Sequence, residues 1–573
     1  MQIEKIEVNN FRNLDGIKIH FNLESNYIVG ENNIGKSNFL SLVNIISSAW
    51  GFGEGDYADI QMPIVIHLAL KLNEYEYGIF GDSFSPMNAS TINITIAQDI
   101  KDVSPKVINS DTTETIQYRS LKKINFLKYD TNVNPNNELR FDKNKGAGAF
   151  LGHMIQKYIT AEDTFLNKDN VDKLITHLNL YLMKIKSFND FGITATVAPD
   201  SSDILSKLVY LMDINHLPIS NTGNGVQFMA MAALNIFSKI LDLYKSKTTP
   251  FEESLFTTVE GKKILPIILA IDEPEVHLHP YMQRAILNYY KRILKNENSD
   301  FLELLKYSFD IDGLDGQLII VTHSTDALID NHKNIVRFYK NNDGITNAIS
   351  GMDMSIRADV EKHLSMHFSD IKEAFYSKCV LIVEGETEYG CIRGFANTLK
   401  IPLDDYGICF INAQGEGSIP KLQQLFNHFS IPSIVIYDSD VKAGKTFAEN
   451  EFFTKETCFE MDIIDKLIEM NQFQLIKNIV LELDSNAASH VIDVDFVKKP
   501  FKKINYDIVT YTPKTIDDLD QEQLGEYKAV YFAWYYIKKG ILIGKIIGNS
   551  LPADCIPTCY IDAISKAKEV ALI

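Results

Sequence analysis

The hydrophobic positions at the start of the chain follow the period of β-strands. Apolar residues alternate with polar ones over 3–8 and again over 17–21, as in strands with one buried face. A third apolar run at 27–29 leads directly into a glycine-containing loop and then into helical sequence at 38–48. A strand, a glycine loop and a helix in this order predict the start of an α/β domain.

The period changes twice farther along the chain. The segment 150–215 has helical spacing and few turn signals, which predicts a helical insertion. After a predicted helix at 360–376, short apolar runs at 379–383, 407–411 and 434–437 alternate with helical stretches. This alternation predicts a second parallel sheet, with a domain boundary near 368–378.

Length and composition are those of a folded, enzyme-sized protein. A chain of 573 residues with 45% hydrophobic residues is longer than a single hydrophobic core normally organises, so we expect at least two domains. The sequence at 1–10 lacks a basic region followed by an apolar stretch, and no run approaches the roughly 18 apolar residues of a membrane span. We therefore expect a cytoplasmic protein that has no membrane partner.

Charge and cysteine usage narrow the expected chemistry. A net charge of −19 means that any nucleic acid contact depends on local Lys and Arg residues. The run Lys498-Lys499-Pro500-Phe501-Lys502-Lys503 is either such a basic surface or a solvated loop. The six cysteines lack paired CxxC spacing, so we interpret them as reduced core thiols.

The glycine loop after the third strand fits the phosphate-binding pattern GxxxxGK[ST]. Lys36 would reach the β and γ phosphate oxygens of ATP, and Ser37 would ligate magnesium. Glycines let backbone N–H groups turn toward the phosphates. The predicted nucleotide-binding residues of this loop are Gly30, Asn32, Asn33, Gly35, Lys36 and Ser37.

Two later apolar strands supply the other parts of an ATPase site. The run 264–271 ends in Asp272 and Glu273, a Walker B pattern in which Asp272 holds magnesium and Glu273 polarises the attacking water. The run 317–322 ends at His323, which would sense the γ-phosphate. Alone, an apolar strand ending in Asp-Glu is more often followed by a solvated turn. The Walker B interpretation therefore depends on its occurrence together with the glycine loop and the strand that ends at His323.

A glycine turn between the Walker motifs leads into an apolar helix at 228–241. Its residues Ser220, Gly223 and Gly225 resemble the signature loop of ABC ATPases, which implies a head-to-head dimer with ATP at the interface. Arg12 lies in a segment that resembles the start of RecF and SMC ATPases, where the arginine is near nucleotide; a surface cation is the alternative.

Carboxylates end two strands of the second predicted sheet. Glu384 follows 379–383, and Asp438 and Asp440 follow 434–437. Adjacent parallel strands would bring these acids together at the carboxyl edge of the sheet. Clustered carboxylates repel one another unless divalent cations lie among them, and oxygen ligands suit magnesium or manganese. Glu388, one helical turn beyond Glu384, would join the same metal cluster.

This pair of motifs resembles the TOPRIM fold, and its place after an ABC-type ATPase resembles the OLD (overcoming lysogenization defect) nucleases. The resemblance implies a further metal ligand at Glu460, for which a surface acid is the alternative. It also implies a lysine that stabilises charge on the phosphate, for which Lys539 is preferred over Lys538. His277 and His279, two residues apart, are interpreted as part of the loop after Walker B.

The OLD resemblance covers nearly the whole chain and implies an α/β architecture. We expect an ABC-type ATPase over 1–149 and 216–370, a helical insertion for dimerisation over 150–215, and a Rossmann-like TOPRIM domain over 371–573. The implied activity is cleavage of DNA with ATP and two Mg²⁺ or Mn²⁺ ions, leaving a 5′ phosphate. OLD proteins of Gabija systems and those linked to retrons share this plan.

The resemblance to OLD proteins also implies a biological role and partner molecules, which the amino-acid composition does not indicate. The protein would act in bacterial antiviral defence as a homodimer or a higher homo-oligomer. It would work with a helicase-like partner, or with a retron reverse transcriptase and its DNA-RNA element. The main alternative is a RecF-like ATPase clamp that binds DNA without cutting it. A topoisomerase or primase fits less well, because neither the breakage domain of the one nor the polymerising context of the other is evident.

Overall fold

The structure is a computed structural model that divides the chain into two compact units, Met1–Met354 and Ser355–Ile573. It describes residues 1–81, 90–130, 139, 146–159, 168–197, 209–246, 251–276, 278–442, 448–509 and 511–572. The second unit begins before the sequence-predicted boundary at 371. The reason is that the chain before 371 packs on this unit: Phe368 lies 6.1 Å from Phe375, which packs edge to face on Phe429 at 5.0 Å.

The described part of the first unit contains two large sheets and a hairpin. A six-stranded antiparallel sheet has the order β2-β1-β4-β5-β6-β7, and a seven-stranded sheet has the order β11-β12-β13-β3-β14-β15 with β8 paired to β12. The strands are β1 Gln2–Asn9, β2 Ile17–His20, β3 Ser25–Gly30, β4 Ile64–Lys71, β5 Thr91–Gln98, β6 Lys106–Asn109, β7 Thr115–Ile116, β8 Phe126–Asp130, β9 Thr194–Val197, β10 Val209–Met212, β11 Phe256–Thr257, β12 Lys263–Asp272, β13 Gly313–Val321, β14 Ile335–Lys340 and β15 Thr346–Ser350.

Helices of the first unit cover the sheets and carry the loops of the ATPase site. Apolar side chains of α1, among them Phe39 and Val43, share one core with residues of both large sheets. The helices are α1 Lys36–Ser48, α2 Ala147–Ile159, α3 Lys168–Leu182, α4 Lys186–Phe191, α5 Asn224–Tyr244, α6 Pro280–Leu294 and α7 Ser299–Phe309.

The predicted insertion at 150–215 is not entirely helical. It contains α3, α4 and most of α2, but β9 and β10 form an antiparallel hairpin within it. Residues 160–167 and 198–208 of the prediction lie outside the described residues. The hairpin was missed because its strands are only four residues long, too short to establish a period of two.

One helix of the described chain is long and apolar enough to cross a membrane, which corrects the expectation that no such run exists. It is the stretch Gly225–Tyr244 of α5, but 69% of the apolar window is buried within the protein. Burial of this kind is typical of a core helix in a large domain.

The second unit is built on a parallel sheet of the order β17-β16-β18-β19. The predicted helix at 360–376 is broken after Met366, because His367 leaves the helical conformation with φ −102° and ψ 10°. The elements are α8 Ala358–Met366, α9 Phe368–Ile371, β16 Cys379–Val383, α10 Glu386–Thr398, β17 Ile408–Asn412, α11 Ile419–His428, β18 Ser433–Tyr437, β19 Glu451–Phe453, α12 Phe459–Glu469, α13 Phe473–Leu483, α14 Val494–Lys503, α15 Leu524–Ile537, α16 Ile541–Ser550 and α17 Thr558–Leu572.

Two helices of this unit touch through their backbones. Gly390 and Gly394 of α10 face Gly544 and Gly548 of α16. A Cβ atom on Gly394 would lie 2.4 Å from the Gly548 carbonyl carbon, and one on Gly544 would lie 2.1 Å from the Thr387 carbonyl oxygen. Glycine is therefore required for this approach. The contact fixes the start of α16 against the first turn of α10.

Candidate functional site

The strand order of the first unit brings the predicted ATPase motifs to one edge. β3 pairs in parallel with β13, and β13 pairs in parallel with β12, so the glycine loop, His323 and the Walker B acids follow the carboxyl ends of three neighbouring strands. Ligands of α/β proteins bind at this edge. The arrangement agrees with an ATPase fold.

The glycine loop turns tightly around Lys36. Lys36 Nζ donates to the carbonyl oxygens of Gly30 at 2.9 Å and Glu31 at 2.6 Å. Gly30 has φ 138°, and a Cβ atom there would lie 2.3 Å from the Phe338 carbonyl oxygen, so a side chain is excluded. Burial lowers the pKa of Lys36 to about 8, although Glu273 and Asp272 oppose the shift.

The other predicted residues of the loop lie around that lysine. Asn33 has a left-handed backbone with φ 59°, and Gly35 has φ 108° directly before α1. Asn32, Asn33 and Ser37 are exposed. Ser37 is in the first turn of α1, where a hydroxyl and the helix N-terminus can both face a phosphate.

The Walker B strand places Asp272 and Glu273 beside the His323 loop. Glu273 has a left-handed backbone, with φ 54°, and its N–H donates to the Val321 carbonyl oxygen at 2.8 Å. His323 Nε2 is 3.9 Å from Glu273 Oε1. Burial lowers the pKa of His323, and Lys36 adds to that effect. Lys128 Nζ on β8, which sequence reasoning missed, is 3.9 Å from Asp272 Oδ2.

Glu275 is a second residue that sequence reasoning missed. Its carboxylate accepts a hydrogen bond from the Thr322 hydroxyl at 2.7 Å and one from the His323 N–H at 2.6 Å. Burial raises the pKa of Glu275, and these two donors oppose the shift. Glu275 therefore ties the loop after Walker B to the loop that carries His323. No local pattern marks this role, because the donors are 47 and 48 residues away.

The glycine turn predicted as a signature loop lies at the start of α5. Buried Gln227 donates to the carbonyl oxygens of Thr222 at 2.8 Å and Ser220 at 3.3 Å. Ser220 and Gly223 are exposed, and Gly225 is half-buried near the Met282 sulfur. The loop is thus held from inside while its outer surface stays accessible. His279 directly precedes α6, and His277 lies outside the described residues.

Arg12 lies beside the glycine loop but is already engaged. Its guanidinium donates to Asp56 Oδ1 and to Asn38 Oδ1, each at 2.8 Å. Asn38 is the residue after Ser37 on α1. Arg12 therefore links the segment after β1 to the phosphate-binding helix.

In the second unit, strand pairing brings Glu384 and Asp438 together as expected. β16 pairs in parallel with β18, with Val383 opposite Ile436. The Asp438 N–H donates to Glu384 Oε2 at 3.4 Å, and the Phe459 N–H at the start of α12 donates to Asp438 Oδ1 at 3.0 Å. Burial raises the pKa of Asp438 to about 9, and the charges of Glu388 and Glu384 add to it.

A buried group of polar residues adjoins this pair. Glu388 and Glu460 are both buried, and the Thr387 hydroxyl donates to Glu460 Oε1 at 3.3 Å. Burial raises the pKa of Glu388 to about 8, and Glu460 contributes the next largest effect. Lys539 Nζ is 3.8 Å from Glu460 Oε1, whereas Lys538 Nζ is 3.4 Å from Asp484. Glu386 is exposed.

The glycine contact between α10 and α16 explains how Lys539 reaches these acids. Gly540, with φ 145°, precedes α16, and its N–H donates to the Thr387 hydroxyl at 3.1 Å. Thr387 therefore joins Glu460 to the residue after Lys539. The sequence contains the signal as GxxxG in both helices, but only the packing shows that the two motifs face each other.

Asp440 lies at the solvent side of the acidic group. Its Oδ2 is 3.0 Å from Lys503 Nζ at the end of α14. Asp440 contributes to raising the pKa of Glu384, after burial. Lys503 belongs to the basic run noted in the sequence, so that run ends at the acids of the second unit.

The chemistry of the donors fits divalent cations. Glu384, Glu388 and Asp438 supply only oxygen atoms, which suit magnesium or manganese. Burial, and after it the charges of neighbouring carboxylates, raises the pKa of Glu388 and of Asp438, and a bound cation would offset both effects. Among the described residues, no three His, Cys, Asp or Glu side chains are gathered as a ready-made metal cage. Binding a cation would therefore require the carboxylates to converge.

Comparison with known proteins agrees with this architecture. A family model of an AAA ATPase domain matches residues 1–50 and 66–328, and a model of the TOPRIM domain of overcoming lysogenization defect protein-like proteins matches residues 375–440. The Old nuclease of Escherichia phage P2 is 26% identical over 207 residues, which are 35% of this chain and 32% of the phage protein. The chain thus matches about a third of the length of that relative.

Two solved structures are similar to parts of the chain. An SMC head bound to the C-terminal winged-helix domain of ScpA covers 61% of this chain and 98% of its own, with a TM-score of 0.37 and 12% identity. The C-terminal region of the Xanthomonas campestris pv. campestris OLD protein covers 35% of this chain and 96% of its own, with a TM-score of 0.24 and 16% identity. Because the ATPase model matches more than half of the chain, the chain belongs to the AAA ATPase domain family, and its residues 375–440 are similar to the TOPRIM domain of overcoming lysogenization defect protein-like proteins.

Proposed function

We propose that this protein is an ATP-binding, divalent-metal-dependent DNA endonuclease or nickase. The observation that carries the proposal is the group of acids at the carboxyl edge of the second sheet, with Lys539 beside them. Such a group is costly in a folded protein, because buried carboxylates repel one another. A catalytic role for bound cations accounts for that cost.

The residues of this group have distinct roles in the proposal. Glu384, Glu388 and Asp438 would hold the metal, which when bound supplies an activated water and neutralises charge on the leaving oxygen. The Phe459 N–H orients the Asp438 carboxylate. Lys539 would stabilise negative charge on the phosphate, and Thr387 positions the residue that follows it. Glu460 is either a further ligand or the partner that orients Lys539.

ATP is proposed to bind the first unit and to control cleavage. Lys36 and Ser37 would hold the phosphates and magnesium with Asp272, while Glu273 orients the attacking water and His323 senses the γ-phosphate. The exposed loop at Ser220 and Gly223 supports a head-to-head homodimer in which this loop reaches ATP on the partner subunit. An antiviral role, with a defence-system partner, is proposed from the OLD relationship alone.

The test is cleavage of supercoiled plasmid by the full chain with Mg²⁺ or Mn²⁺, with and without ATP. Glu384→Gln is expected to abolish nicking, whereas Glu386→Gln, an exposed neighbour on α10, should retain it. Lys36→Ala should change the response to ATP while leaving metal-dependent cleavage detectable. Absence of cleavage of any DNA form, with intact DNA binding, would instead favour the RecF-like clamp.

A further inference from the structure

Helix α14 presents an exposed basic face. Lys498, Lys499, Lys502 and Lys503 are all exposed, whereas Val497 and Phe501 on the opposite side are buried. Residues four apart in a helix are neighbours, so the four lysines form two adjacent pairs. The face is a single patch rather than a scatter of solvated charges.

This face leads to the acids of the second unit. Lys503, at the end of the helix, has its Nζ 3.0 Å from Asp440 Oδ2. Asp440 lies two residues after Asp438, which is hydrogen-bonded to Glu384. The lysine face of α14 therefore ends beside the acids at the carboxyl edge of the sheet.

The lysine face carries more positive charge than its own helix balances. The pairs Lys498/Lys502 and Lys499/Lys503 place like charges one turn apart, and Asp495, one turn before Lys498 and Lys499, is the single acid on that face of the helix. Within the described part of the chain, carboxylate contact on this face is confined to Lys503, although the protein has 75 acidic residues. Helix-dipole stabilisation would need cations only in the last turn, and the face extends one turn farther. The excess of positive charge on this face suits binding of an external polyanion.

We propose that Lys498, Lys499 and Lys502 bind the phosphate backbone of duplex DNA and lead it to the acidic group, a surface that rests on the proposed nuclease function. The six residues from Lys498 to Lys503 span about 7.5 Å along the helix. Duplex DNA carries about four charges over that length. The opposite sign and this high density of charge favour DNA held along the helix.

The salt dependence of DNA binding tests this surface. Full-length proteins carrying Glu384→Gln, which keeps the DNA uncut, are titrated with a fluorescent duplex across NaCl concentrations. Losing two phosphate contacts in Lys499→Gln/Lys502→Gln should reduce the slope of log K against log salt by about 1.8. Binding at 0.1 M salt should weaken by at least about tenfold.

The control variant removes the same charge from the opposite edge of the sheet. Lys378 directly precedes β16, and Lys400 follows the end of α10; both are exposed. The amino ends of parallel strands lie away from the carboxyl edge, so Lys378→Gln/Lys400→Gln should leave the slope unchanged. Thermal melting of both variants verifies that they remain folded.

The outcomes separate this surface from the proposed function. A slope reduced only in the α14 variant supports the proposal. Equal slopes in both variants, or a reduction seen with single-stranded RNA but not with duplex DNA, overturn it. Failure of the parent protein to bind DNA also overturns it. Plasmid cleavage by the wild-type protein tests the nuclease proposal separately. Cleavage would support that proposal even if the salt dependence of DNA binding were the same in both variants.

Discussion

Replacing Asp438 with asparagine is expected to stabilise the metal-free protein at alkaline pH. In the folded protein, burial and neighbouring acids raise the pKa of Asp438 to about 9, whereas in an unfolded chain the carboxyl loses its proton near pH 4. Between these values the folded state binds more protons than the unfolded state. The stability of the wild type therefore falls as pH rises through this window.

The magnitude follows from that difference in bound protons. One proton changes the free energy of unfolding by about 1.4 kcal/mol per pH unit. From pH 5 to pH 8 the wild type should lose about 4 kcal/mol at this position, and Asp438→Asn should lose none of it. For a unit of this size, the variant's Tm at pH 8 should exceed that of the wild type by roughly 8 °C or more.

The assay is calorimetric unfolding in EDTA at pH 5 and pH 8, repeated with Mn²⁺ at pH 8. Mn²⁺ should stabilise the wild type and leave Asp438→Asn nearly unchanged, because ligand binding to the folded state raises its stability. Asp405→Asn, an exposed acid of the same unit, is the control. A difference between variant and wild type that is the same at pH 5 and pH 8 would refute the electrostatic reasoning.

Three further predictions address other parts of the protein. Burial lowers the pKa of Lys36 to about 8, so ATP binding at pH 9 should be accompanied by uptake of a proton, and the affinity for ATP should fall as pH rises above 8. Titration calorimetry in two buffers with different ionisation enthalpies measures the uptake, and its absence would contradict this prediction. In Gly548→Ala the new Cβ would lie 2.7 Å from the Cys391 carbonyl oxygen, so this variant should be destabilised by about 1–3 kcal/mol in denaturant unfolding and should cleave DNA more slowly. In the control variant Gly525→Ala the new Cβ has no contact closer than 3.9 Å, so neither stability nor cleavage should change. Lys539→Gln should lower kcat for cleavage by about a hundredfold or more, while Lys538→Gln should change it little; equal losses would show that Lys539 has no special role.

The sequence by itself determined the α/β fold class and the parts of each site that follow single strands. Asp272, Glu384 and Asp438 each follow the end of an apolar run, and Lys36 ends the glycine loop that follows another. A strand and the loop after it are contiguous in sequence, so the pattern of residues alone predicts both. The order of the motifs then indicated the OLD relationship, which the family matches confirm.

Only the tertiary structure decided which distant groups complete those sites. Glu275 ties two loops 47 residues apart, and Lys503 meets Asp440 across 63 residues. Lys539 reaches Glu460 because glycines let α10 and α16 approach through their backbones. Such contacts depend on how elements pack in three dimensions, and packing depends on the shapes of surfaces that no local sequence period encodes.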